Sequence, residues 1–240
     1  MPDTIIFGRL ILIRYSGNSQ LMKKLFISIL LFLFSHAVWT QVSAGPILGI
    51  NFSNIAGGKG TNKFKTGFHA GAFLKFNFSD AIAFQPEMLY STLGFKQQLI
   101  FNKSSVLADT SITHALSYIA FPFLLNITVA GNGFLHIGPQ IGYIINAKEK
   151  GTILTTTNGA SFTQTIDTSN VYGFNTTEYA LVIGGGYKFD FGLSASLHFT
   201  YGFTKLYSNA DGHNFVIGIS VAYFLGKQEE AGQGLIYKHL

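Results

Sequence analysis

The sequence predicts an all-β protein: eight antiparallel strands in up-and-down order, closed into a transmembrane barrel whose oily face looks outward. Three observations carry the prediction. Apolar residues alternate with small or polar ones, with a period of two, in eight segments. Tight Asn, Asp and Gly turns alternate along the chain with longer polar links. Charged residues make up only 11% of the chain and hydrophobic residues 48%, whereas soluble domains carry about 25% charged residues. Eight half-greasy strands with no helix to cover them leave more apolar surface than water tolerates, so the expected outer solvent is lipid.

The N-terminus reads as a targeting segment. Met22-Lys23-Lys24 opens a run over residues 25–34 that is apolar but for Ser28, and small residues follow. Two lysines, a short apolar core and small residues describe a secretory signal peptide over 22–44. Cleavage after Ala44 fits the small-residue rule, with Val42 third back; cleavage after Thr40, leaving Gln41 first, is the alternative. The run is shorter than the ~20 residues a spanning helix needs. Residues 1–21 read as an upstream extension from a misplaced start, 45–226 as the barrel, and 227–240 as a polar C-terminal tail.

Strands are expected near 46–54, 66–79, 81–92, 112–129, 133–148, 177–190, 192–206 and 213–225. The alternation sorts their faces. Phe68, Leu74, Phe76 and Phe78 point outward on the second, and Ile119, Phe121, Phe123, Leu125 and Ile127 on the fourth. In 135–147 the odd positions are Leu135, Ile137, Pro139, Ile141, Tyr143, Ile145 and Ala147, and the even ones His136, Gly138, Gln140, Gly142, Ile144 and Asn146. Leu197, Phe199 and Tyr201 point outward on the seventh strand, and Ile217, Ile219 and Val221 on the last. Ser79-Asp80-Ala81, the Gly131-Asn132 region and Asp190-Phe191-Gly192 supply the tight turns. Links 55–65, 93–111, 149–176 and 207–212 read as loops at the opposite end. Aromatics such as Tyr90, Tyr118, Tyr143, Tyr187, Tyr201 and Tyr223 gather toward strand ends, where headgroup-level rings are expected.

Composition narrows the function. The 240 residues suit one β domain, and no Cys is present, so thiolate metal sites and disulfides are excluded. The net charge of +5 drops to +2 once residues 1–44, with four basic residues against one acid, are set aside. No Arg follows Arg14, which argues against a nucleic-acid partner.

The stretches KTGFHAGAFLKFNFSD, FQPEMLYSTLGFK, LSYIAFPFLLN, FLHIGPQIGYIINAK and NFVIGISVAYFLGK resemble the small outer-membrane β-barrel family common in Bacteroidetes, often labelled porin family protein. The resemblance spans roughly residues 45–227. It implies an eight-stranded barrel of the OmpA and OmpX architecture in the bacterial outer membrane, with outer-membrane lipid and the barrel-assembly machinery as partners. It implies no ligand, cofactor or reaction. Such barrels usually end at an aromatic residue after the last strand; here a polar tail follows Tyr223 and Phe224.

By parity the lumen holds Asn51, His69, Lys75, Gln85, Glu87, Tyr118, Asn126, His136, Gln140, Asn146, Lys148, Glu178, Lys188, His198 and Thr200. Lys75, Gln85, Glu87, Asn126, His136, Gln140, Lys188 and His198 are the expected structural network. Lys75 sits diagonal to Glu87 across the Asp80 turn, close enough for a buried ion pair; Lys188 is the other candidate partner of Glu87. Side chains roughly fill an eight-stranded barrel, so an open pore is not expected. Ser196, His198 and Thr200 share a face, but they point inward and lack a placed acid, so no catalytic site is assigned. His69, His136 and His198 lie on different strands without metal-ligand spacing, so no metal site is assigned. Gly184-Gly185-Gly186 reads as packing relief within a strand rather than a phosphate loop. The expected role is structural, or interaction through 93–111 and 149–176 with an extracellular ligand or protein, or limited solute passage. A lipid-modifying barrel enzyme and a component of a secretion machine are the alternatives.

Overall fold

The computed structural model describes residues 42–57, 61–103, 106–129, 131–157, 159–169, 173–207 and 211–225. The upstream extension, the apolar run of the signal peptide and the tail lie outside them. The strands are β1 (Val42–Ala56), β2 (Thr61–Asn77), β3 (Ile82–Lys103), β4 (Val106–Thr128), β5 (Gly133–Thr157), β6 (Ala160–Ser169), β7 (Thr177–Lys188), β8 (Leu193–Lys205) and β9 (His213–Tyr223).

Eight of them form one antiparallel ring in the order β4-β3-β2-β1-β9-β8-β7-β5, and β4 pairs with β5 to close it. The first and last strands meet through Leu48↔Val221 and Ile50↔Ile219. Closure gives the backbone polar groups of the wall a partner on each side, which a strand in lipid requires. The outward faces are those the alternation predicts. Phe68, Leu197 and Ile219 are 51%, 43% and 50% exposed, whereas Asn126, His136 and Thr200 are buried.

One end carries the tight turns. Phe78 N–H donates to the Ile82 carbonyl at 2.9 Å, and Ser79 Oγ accepts the Ile82 amide at 3.1 Å. Val129 N–H reaches the Gly133 carbonyl at 3.0 Å, and Phe189 N–H the Leu193 carbonyl at 2.7 Å.

The other end departs from expectation. Links 93–111 and 149–176 are not loops over most of their length. β3 and β4 stay paired from Ile82↔Ile127 out to Lys103↔Val106. β5 pairs with β7 below, from Gly133↔Tyr187 to Tyr143↔Thr177, and with β6 above, from Lys148↔Ser169 to Thr157↔Ala160. The ninth strand, β6, is thus an outgrowth of the wall and not a stave of it. One face of this Thr-rich segment is wholly polar and the other mixes Phe162 and Ile166 with Gln164 and Thr168, so its period-two contrast is weak, although β-branched residues favour an extended chain.

Two local devices make the transition. On β5 the pairing with β4 steps from Tyr118↔Ile144 to Ser117↔Asn146. This β-bulge at Ile145 reverses the faces beyond it. Asn146 and Lys148, expected inside, are therefore exposed, and Ala147, expected outside, is fully buried. On β3, Gly94 adopts φ +138°, a value a side chain resists. Its amide donates to Ser53 Oγ, which in turn donates to its carbonyl, each at 2.8 Å. A Cβ at Gly94 would also meet the His114 carbonyl. Gly94→Ala is expected to cost about 1–3 kcal/mol, read as a lower temperature for loss of the folded, faster-migrating band on an unboiled gel.

Candidate functional site

The candidate site is the interior of the ring, which is layered. At the short-turn end Ile47, Phe73, Leu89, Ala120, Ala222 and Phe224 form an apolar layer. At the long-strand end Leu93, Phe95, Leu116, Ile144, Phe174 and Leu206 belong to a second. The polar groups lie between and beside these layers, so the lumen is not polar throughout.

The central network crosses five neighbouring strands. Asn51 Nδ2 donates to Ser91 Oγ at 2.8 Å, and Asn51 Oδ1 accepts from His69 Nδ1 at 2.8 Å. His69 Nε2 accepts a hydrogen bond from the Ser220 hydroxyl at 2.8 Å, and Ser220 Oγ faces His198 Nδ1 at 3.5 Å. One neutral tautomer of His69 satisfies both of its bonds. A second network joins Asn214 Nδ2 to Tyr118 Oη at 2.8 Å and to Glu178 Oε2 at 2.7 Å. Tyr118, assigned by sequence to both the interface ring and the lumen, is therefore a lumen residue.

Packing around these groups follows one rule: an inward ring lies over a glycine on the neighbouring strand. His69 pairs with Gly49, His136 with Gly184 and His198 with Gly218. A Cβ at any of the three glycines would fall within 2.5 Å of the facing imidazole. Phe134 covers Gly186 in the same way. The Gly184-Gly185-Gly186 run is thus packing relief, as its position within a strand suggests.

The expected eight-residue network forms only in part. Gln85 Nε2 donates to Glu87 Oε1 at 2.8 Å, and Asn126 Nδ2 to Gln85 Oε1 at 3.4 Å. His198 joins through Ser220. Gln140 lines both inner cavities. His136 lies opposite Asn126 in register, but among the described residues its buried Nε2 has no hydrogen-bond partner.

The Lys75–Glu87 pair does not form, and neither does Lys188–Glu87. Among the described residues the ion pairs within 4.0 Å are His114–Glu149, Lys150–Asp167 and Lys205–Asp211. Register places Glu87 opposite Phe73, as the diagonal reading requires. Gln85, across from Lys75, takes the carboxylate instead. The ammonium groups turn toward the mouth, where Lys75 Nζ lies 5.7 Å and Lys188 Nζ 4.9 Å from the centre of the Phe224 ring. Ser91, Ser220 and Asn214 were missed by sequence, although strand parity alone places each inward.

The sequence-flagged histidines do approach one another: His69–His198 ring centres are 5.5 Å apart and His136–His198 6.5 Å. Each ring is committed to its glycine, and among the described residues no group of three His, Cys, Asp or Glu is placed to hold a metal ion. Ser196, His198 and Thr200 all face the lumen, as expected.

Cavities of about 40 and 30 Å³ lie inside among the described residues. A water needs about 10–15 Å³ on this measure, so each has room for a few waters. Above the upper apolar layer, His114 Nδ1 lies 3.0 Å from Glu149 Oε1 and 3.3 Å from Tyr207 Oη, and its ring stacks on Phe95. Outward neighbours at this level include Lys96, Lys148 and Lys150, which places it outside the hydrocarbon. Burial holds the His114 pKa below 6.5, against the opposing pull of Glu149.

Asn51→Leu is expected to leave His69 Nδ1–H and Ser91 without partners and to cost about 1–3 kcal/mol. Urea unfolding in detergent, followed by tyrosine fluorescence, measures this.

A family model described as outer membrane protein beta-barrel domain matches residues 35–208. Among solved structures, the chain is similar to Ail, the attachment invasion locus protein of Yersinia pestis, at 14% identity, covering 77% of this chain and 99% of that one with a TM-score of 0.41. Neisserial surface protein A matches at 9% identity, covering 76% and 98% with a TM-score of 0.39. The N-terminal barrel domain of Pseudomonas aeruginosa OprF matches at 12% identity, covering 75% and 97% with a TM-score of 0.24. No curated protein matches the chain.

Proposed function

The chain belongs to the outer membrane protein beta-barrel domain family, and from that premise we propose that it is a non-conducting, non-catalytic barrel that presents a recognition surface outside the cell. The short turns then face the periplasm and the long strands the exterior. The observation that carries the reading is the contrast between a filled lumen and a tall external sheet. β1 and β9 end their pairing at Ala56↔His213, whereas β3 and β4 remain paired out to Lys103↔Val106. Beyond Leu93, β3 runs ten further residues, a reach of roughly 33 Å.

Together with β5 and β6 this makes a four-stranded sheet standing on one side of the wall. Among the described residues β6 pairs with β5 alone, so its outer edge offers backbone donors and acceptors to a partner. Phe162 on β6 and Ile100 on β3 are 70% and 74% exposed. Apolar side chains on a polar sheet in water are what a protein partner would bury. The resemblance to the Bacteroidetes-type family adds no ligand. A lipid-hydrolysing role is disfavoured because Ser196 and His198 face the lumen rather than the lipid. A place in a secretion machine would show as co-purifying subunits.

The purified chain is expected to migrate faster unboiled than boiled and to give no stepwise conductance in a planar bilayer. Removal of residues 149–169 is expected to preserve the migration shift. Stepwise conductance in the full chain would overturn the sealed-lumen reading. Loss of the shift on deletion would make the hairpin a folding element instead.

Strand β1 also bears on export. Val42 pairs with Phe76 and Ala44 with Leu74, and Ala44 bridges Leu225. A cut after Ala44 would remove three residues that pair with β2, one of which also bridges Leu225, so the reading favours the cut after Thr40. N-terminal sequencing of the mature protein is expected to begin at Gln41.

A further inference from the structure

The short-turn mouth of the lumen holds a charge arrangement that the barrel alone does not explain. Lys75 on β2 and Lys188 on β7 come from opposite parts of the ring, yet both ammonium groups lie over the buried Phe224 ring. Among the described residues neither has a carboxylate within 4.0 Å. Like charges held over one ring repel, and the repulsion grows as water is excluded. Glu87 lines the same cavity, but its Oε1 is taken by Gln85 at 2.8 Å. Even a fully ionised Glu87 leaves the cluster with a net positive charge.

The groups beside the lysines suit an anion. The cavity between them, about 40 Å³, is also lined by His136, Ser194 and Ser196. The His136 imidazole forms part of the packed wall of this cavity, since a Cβ at Gly184 would meet its Nε2. The volume is room for about three waters or one compact oxyanion. The apolar layer of Ile47, Phe73 and Leu89 lies alongside, where low polarity strengthens a charge-assisted bond.

We propose that this mouth binds a phosphate-class oxyanion, with Lys75 and Lys188 supplying charge and Ser194 and Ser196 supplying hydrogen bonds. Two ammonium groups and two hydroxyls match the charge and the several acceptor oxygens of such a group better than a halide, which accepts at a single centre. The anion arrives either as free solute or as a phospholipid headgroup at the rim. The site is independent of the recognition surface, so its failure would leave that reading untouched.

The test uses the refolded full chain in a zwitterionic detergent, titrated with inorganic phosphate while chloride holds the ionic strength constant. Phosphate is expected to raise the temperature at which the fast-migrating band is lost and to show phosphorus NMR line broadening. Lys188→Met and Lys75→Met are each expected to weaken the apparent affinity by about tenfold, the loss of one charge-assisted bond. Lys205→Met, on the outer rim and paired with Asp211, is expected to change nothing. Bicelles containing phosphatidylglycerol that displace phosphate would assign the site to headgroups; bicelles without effect would assign it to the free anion. The proposal falls if phosphate neither broadens nor stabilises beyond chloride. It falls equally if broadening survives unchanged in a folded Lys75→Met, Lys188→Met double variant.

Discussion

Everything in this structure follows from the need to pair backbone amides where no water can reach them. In hydrocarbon an unpaired N–H or C=O costs several kcal/mol, so a sheet can cross only if its edges meet. Here they meet between β4 and β5, and the first strand meets the last through β1 and β9. Closure sets the diameter, and the diameter sets how much side chain the inside must hold. Above the membrane the constraint lapses. There β3 to β6 carry on as an open sheet with an unpaired edge, because water satisfies what lipid would not.

The interior solves its volume problem by pairing large with small across strands. An imidazole or phenyl ring packs against a glycine of the next strand at Gly49, Gly184, Gly186 and Gly218. Each glycine lets a ring approach the backbone, and the ring covers the sheet where the side chain is missing. The histidines so placed also bridge strands: His69 holds Asn51 on one side and Ser220 on the other. Apolar layers at both ends keep water away from these bonds, which raises the cost of breaking any one of them. The lumen is accordingly a core with polar members.

Much of the site was legible. Parity alone put His69, Asn126, His136 and His198 inside and Phe68, Leu197 and Ile219 outside. The partnerships were less so. Lys75 and Glu87 are diagonal neighbours as expected, but nearness in register does not choose between Gln85 and Lys75 as the carboxylate's donor. That choice depends on where the mouth and the Phe224 ring lie, and Phe224 arrives from the far end of the chain. Asn146 and Lys148 were misplaced because one extra residue at Ile145 reverses every face beyond it, and nothing in the local composition announces the bulge.

By itself the sequence determined the class of the protein and the orientation of its wall. A period-two pattern repeated eight times, with scarce charge, admits one economical arrangement in lipid, since each strand has a single face that can bear hydrocarbon. It also determined which end carries tight turns, because Asn, Asp and Gly adopt their backbone angles cheaply. Only the tertiary structure decided where the wall stops being a barrel. A Thr-rich segment with only Phe162 and Ile166 on its less polar face carries a weak hydrophobic pattern, and the choice between loop and strand falls to the neighbour it can pair with. The structure alone also decided that two lysines far apart in sequence share one ring, because ring closure brings β2, β7 and the end of the chain to the same mouth.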